Sequence, residues 1–130
     1  MKKLLIQAVC PHCEKSLNEG EWIGLIIEVE GKGRGEIKLS AYFGDYSVIL
    51  PYPIEEGKIA NFYCPHCGEN LNTENKCSLC GAPLFRLKIK TGGYVDACTR
   101  KGCKGHAIGG FGDVDELMLL VNRLINSPFL

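Results

Sequence analysis

Eight cysteines in four close pairs constrain this chain more than any other feature. They are Cys10 and Cys13, Cys64 and Cys67, Cys77 and Cys80, each spaced CxxC, and then the wider Cys98 and Cys103 in CTRKGC. Such pairs are closed either by disulfides or by metal, and the compartment decides which. The segment MKKLLIQAV before Cys10 has a basic start but only six residues between its lysines and the cysteine. It lacks the apolar length and small-residue cleavage site of an export signal. Val9 also stands where a lipoprotein needs a small residue. A cytoplasmic, reducing location is therefore expected, and with it metal rather than disulfides. No run approaches the ~20 apolar residues of a membrane span, so no membrane partner is expected.

Four thiolates satisfy a tetrahedral zinc ion, and a CxxC turn places two sulfurs along one edge of the tetrahedron. Four pairs then make two sites. The expected cofactor is zinc, two ions per chain, with Cys10, Cys13, Cys64, Cys67, Cys77, Cys80, Cys98 and Cys103 as ligands. Gly68 and Gly81, directly after the second and third pairs, supply the backbone freedom that a knuckle needs on its exit side. The gaps between pairs leave two arrangements open. Sequential pairing puts Cys10, Cys13, Cys64 and Cys67 on one ion and Cys77, Cys80, Cys98 and Cys103 on the other. It is the preferred reading, because the 17 residues between Cys80 and Cys98 match the spacing of a two-knuckle zinc site. Nested pairing would make CPHCGENLNTENKCSLCGAPL a unit of its own. His106, spaced CxxH from Cys103, is an alternative ligand.

CPHC, present twice, also resembles the redox motif of thiol oxidases in the thioredoxin superfamily. That chemistry needs one CxxC at the start of a helix in a βαβ unit. Here EKSLNEGEW and GENLNTENK follow the two copies, and neither has a helical period.

The intervening segments read as strands. WIGLIIEVE and EIKLSAYF flank GKGRG, which joins two strands as a hairpin turn and so does not form a phosphate loop, and IANFY leads into the second CPHC. LFRLKIK and GYVDA, joined by TGG, make a second hairpin. With CPHC, CPHCG, CSLCG and GGYVDACTRKGC, the plan of residues 10 to 106 resembles the zinc-ribbon family, and the last run resembles the small ribbons attached to bacterial topoisomerases. The resemblance implies structural zinc and contact with nucleic acid or another protein. The long insert between Cys13 and Cys64 departs from that pattern.

The expected fold is small, metal-stabilised and β-rich, of α+β class. It comprises a first zinc ribbon with a long hairpin insert over 1–70, a second ribbon over 71–110, and a C-terminal amphipathic helix over 111–130 packing on the ribbons. Asp113 suits the cap of that helix and Pro128 its end, while Val114, Leu117, Met118, Val121, Leu124 and Ile125 form its stripe. Leu119 and Leu120 widen the stripe, so a homodimer through this helix is one expectation. Residues 39–63 hold four of the five tyrosines, expected to cover the small first sheet along with Trp22.

Net charge is zero, but residues 81–106 carry Arg86, Lys88, Lys90, Arg100, Lys101 and Lys104 against Asp96 alone. Alternation places Arg86, Lys88 and Lys90 on one strand face, and these six cations are the candidate nucleic-acid contacts. Their other reading is compensation of the thiolate clusters. Four-cysteine sites leave no open position for substrate, and no grouping of His, Ser or carboxylates looks catalytic. The expected function is a non-enzymatic interaction or adaptor module with a protein partner. A nucleic-acid-binding ribbon is the alternative, and thiol redox or redox sensing a third.

Overall fold

The structure is a computed structural model that describes residues 5–42, 45, 47–103 and 105–109. Its longest hairpin shows how the sequence makes the first sheet. On β3 (Trp22–Val29) the apolar residues recur every second position, and Ile23, Leu25, Ile27 and Val29 are all buried on one face. On β4 (Gly33–Ser40), Ile37 and Leu39 stand opposite Leu25 and Ile23 and extend that face. The expected GKGRG turn joins the two strands, with Gly31 and Gly33 at φ 83° and 74°, a region that side chains disfavour. Two-residue strands lie at the margins, β2 (Asn18–Glu19) against β3 and β5 (Val48–Ile49) against β4. On the other flank of β3, β6 (Ala60–Tyr63) brings Phe62 opposite Ile27.

The second sheet is centred on β8 (Pro83–Ile89). It pairs with β9 (Tyr94–Cys98), which pairs with β10 (His106–Gly109). The other edge of β8 is shared by β7 (Asn72–Lys76) and by β1 (Ala8–Val9). The first strand among the described residues therefore belongs to the sheet of the second half, and the two halves are interlocked. Their apolar faces meet in one core, where Phe62 and Phe85 stack with ring centroids 4.1 Å apart.

The α+β expectation is corrected: every element among the described residues is a strand, and none of them is helical. The only helical period in the sequence is in 111–130, which lies outside the described residues. β7 and β10 are additional strands that the sequence reading did not anticipate. No helix among the described residues is long and apolar enough to cross a membrane.

Of the aromatics, Tyr52 packs against the core and its hydroxyl donates to the Gly33 carbonyl at 2.8 Å, tying 51–54 across the hairpin end. Pro51 sits where a Cβ on Gly35 would be, so that strand position requires glycine. Trp22 is half-buried at the start of β3.

Candidate metal centres

The structure gathers the eight cysteines into two groups, Cys10, Cys13, Cys64 and Cys67, and Cys77, Cys80, Cys98 and Cys103. Within each, all four sulfurs lie within 4.8 Å of one another. The pairing is sequential. The Cys10–Cys67 and Cys13–Cys64 sulfurs are each 3.7 Å apart. In the second group Cys77–Cys103 measures 3.8 Å and Cys80–Cys98 3.4 Å. Metal–sulfur bonds of ~2.3 Å to a tetrahedral zinc imply sulfur separations of about 3.8 Å, so both groups have the size of a four-thiolate zinc shell. None of the eight cysteines is joined in a disulfide.

The first centre is built from two copies of one device. In CPHCEKSLN, the His12 and Cys13 amides point at the Cys10 sulfur at 3.3 and 3.5 Å. In CPHCGENLN, the His66 and Cys67 amides point at the Cys64 sulfur at 3.3 and 3.4 Å. Each knuckle closes through a backbone bond four residues on, Glu14 to Cys10 and Gly68 to Cys64. A buried leucine follows at the same offset, Leu17 and Leu71, and then an asparagine that braces the strand entering the knuckle. Asn18 accepts from the Ala8 amide and donates to the Ile6 carbonyl, while Asn72 accepts from Phe62 and donates to Ala60. These bonds satisfy backbone groups at the strand edge that would otherwise be unpaired. The CPHCxxxLN repeat was open to inspection in the sequence, but attention to the cysteines alone missed the asparagines.

The second centre joins unlike knuckles. Leu79 in CSLC and Arg100 in CTRKGC each aim an amide at the first cysteine of their own loop, at 3.4 Å in both cases. The wider second loop turns at Gly102, φ 90°. Gly105 passes so close that a Cβ there would overlap the Cys77 sulfur, a requirement the sequence reading did not include. His106 opens β10, with its side chain outside the described part, and the second group is complete without it.

The thiols of each group share charge unevenly. Burial raises Cys10 to about 12; at Cys64 burial also raises the pKa, but the Cys67 and His66 amides and neighbouring thiols outweigh it and bring it to about 7. In the second group the Ala82 amide leads the lowering of Cys80 to about 6, and burial raises Cys98 to about 12. In each group burial first, and then the neighbouring thiols, hold Cys10 and Cys98 in the protonated form, while Cys64 and Cys80 are shifted toward the thiolate. A divalent cation offsets the charge of neighbouring thiolates, and a soft four-sulfur donor set suits zinc.

The candidate nucleic-acid contacts are mostly engaged within the chain. Arg86 binds Asp96 through two nitrogens at 2.8 and 3.0 Å, and its guanidinium lies 3.6 Å from the centre of the Tyr94 ring. Asp96 is only 2% exposed, so this is a structural ion pair. Lys88 pairs with Glu14, Lys101 with Glu56, and Arg100 donates to the Gly57 carbonyl. Lys90 is exposed in the turn after β8, and Lys104 lies outside the described residues. Cationic Arg86 and the paired lysines therefore do not form the single open basic face that strand alternation suggested.

No family model, no curated protein and no solved structure matches this chain.

Proposed function

We propose that the chain is a non-enzymatic interaction module whose two zinc ions are structural. The observation that carries this reading is the closure of both sulfur groups. Four thiolates complete a tetrahedral shell and leave no position for water or substrate. The cysteines also stand where the chain most needs joining. The first group ties the loop after β1 to the loop after β6, and the second ties the connection between β7 and β8 to the end of β9 and the connection between β9 and β10. In that role metal binding is part of folding. The partner we favour is a protein, since the ion pairs of Arg86, Lys88 and Lys101 reduce the charge available to phosphates.

The test combines metal analysis with capture. X-ray absorption of the purified chain should show two zincs, each with four sulfur ligands. A protein partner retained by the loaded chain should be lost from Cys64→Ser. An exchangeable oxygen ligand at either ion, or binding that is salt-dependent and specific to nucleic acid, would contradict the proposal.

A further inference from the structure

The inward faces of the two sheets do not close on each other along their whole length. A groove of about 380 Å³ runs between them, a size within the ~300–1,000 Å³ of small-molecule sites. Ile27, Ile37 and Leu39 of the first sheet and Phe85, Leu87 and Val95 of the second form its apolar walls. Strand register sets its two ends, because Ser40 pairs with Trp22 at the start of β3 and Ala60 pairs with Val29 at its close. Those ends of the eight-residue strand lie about 23 Å apart, at roughly 3.3 Å per residue. At the Trp22 end, the Ser40 and Ser47 hydroxyls both donate to the Asp45 carboxylate. At the Val29 end, the Ala60 amide donates to the Thr99 carbonyl and Ile59 bridges to Arg100, which brings Arg100 and Lys58 to the groove.

We infer that the groove binds a free fatty acid, with the aliphatic chain between the sheets and the carboxylate at Arg100 and Lys58. Arg100 Nη1 donates to the Gly57 carbonyl at 3.0 Å, but its Nε is buried with no acceptor among the described residues. Buried donors nearly always have one, and a carboxylate held against the guanidinium would supply it through a charge-assisted bond. Lys58 is exposed and makes no ion pair among the described residues, whereas Lys101 is already held by Glu56. An anion is thus favoured at this end and disfavoured beside Asp45, which fixes the direction of the chain. Saturated carbon suits the walls between, because it brings no polar group that apolar side chains would leave unpaired. A peptide in the same place would bring an amide and a carbonyl with nearly every residue. Binding also removes apolar wall from water. The site involves neither zinc ion nor the protein partner proposed above.

The test titrates the full zinc-loaded chain with octanoate, dodecanoate and dodecanol below their micellar concentrations, by calorimetry and by nuclear magnetic resonance of labelled methyl groups. Dodecanoate should bind saturably and shift the methyls of Leu39, Leu87 and Val95. Octanoate should bind several-fold more weakly, since each added methylene buries more apolar surface, and dodecanol should also bind more weakly than dodecanoate. Lys58→Glu, an exposed change with both zincs retained, should weaken dodecanoate several-fold and leave dodecanol unaltered; Arg100→Gln should have the larger effect of the same kind. The inference is overturned by an absence of saturable binding, by dodecanol binding as tightly as dodecanoate, or by a Lys58→Glu chain indistinguishable from the parent. Groove methyls already in Overhauser contact with another segment of the chain or with a second copy would overturn it as well.

Discussion

The two candidate metal centres offer the same four-cysteine donor set and differ in how the chain delivers it. The first centre joins two copies of CPHCxxxLN, starting 54 positions apart at Cys10 and Cys64, through matched amide–sulfur bonds and matched asparagines. The second joins a standard knuckle to a wider one, across a hairpin, with Gly105 pressed against the sulfurs. Duplicated parts make the first centre regular, and each of its knuckles carries its own brace. The second relies on the sheet: β8, β9 and β10 all run into it. The first should thus be weakened by local changes in proportion to each bond lost, and the second by anything that shifts the sheet.

Removing the metal is the harshest way to probe that contrast. Structural zinc supplies roughly 10 to 16 kcal/mol of apparent binding free energy, so chelation should abolish cooperative unfolding in calorimetry; a metal-free chain with an unchanged transition would refute a structural role. Arg86→Ala follows in size, since it strands the buried Asp96 carboxylate, at a cost of about 3 kcal/mol. Part of that effect is lessened by the exposed side of Arg86, and denaturant titration will measure the remainder. The loss should also loosen the second centre. Gly105→Ala should release zinc from the second centre several-fold faster while the first keeps its rate, as read by a chromogenic chelator; equal release from both would deny the centres their independence.

Smaller effects test the duplication inside the first centre. Asn18→Ala and Asn72→Ala each remove two hydrogen bonds to backbone and should cost about 1 to 3 kcal/mol apiece, by similar amounts in denaturant titration. A large difference between them would show that the two knuckles are alike in sequence but not in energetics. The smallest change concerns Glu14, the one described non-glycine residue at positive φ (61°), which occupies the position of Gly68 (φ 79°). Glu14→Gly relieves a backbone conformation that L-residues disfavour, so it should raise the thermal midpoint slightly despite losing the exposed pair with Lys88.

Much of this arrangement was legible in the sequence because cysteine spacing and period-two alternation are local signals. The ligands, the GKGRG turn and the β3–β4 and β8–β9 hairpins follow from residues near one another, whereas the gaps between pairs favoured the sequential grouping and left the nested one open until the structure brought Cys10 and Cys13 to Cys64 and Cys67. What was not legible depends on distant partners. Asn72–Lys76 has the composition of a loop and becomes a strand only because β8 offers it an edge. Ala8–Val9 is too short to announce a strand, still less one in the other half's sheet. The charges of Lys88 and Lys101 looked free because their partners, Glu14 and Glu56, come from the first half of the chain. The expected α+β class rested on a segment outside the described residues, while the elements that are described are all strands.

The central claim is that two independent four-cysteine centres form by sequential pairing. Its most direct test is Cys98→Ser with Cys103→Ser, followed by metal counting and mapping of reactive thiols by mass spectrometry. The account predicts one zinc retained, with Cys77 and Cys80 alkylated and Cys10, Cys13, Cys64 and Cys67 protected. Alkylation of Cys64 and Cys67 in place of protection, or loss of both ions, would contradict it.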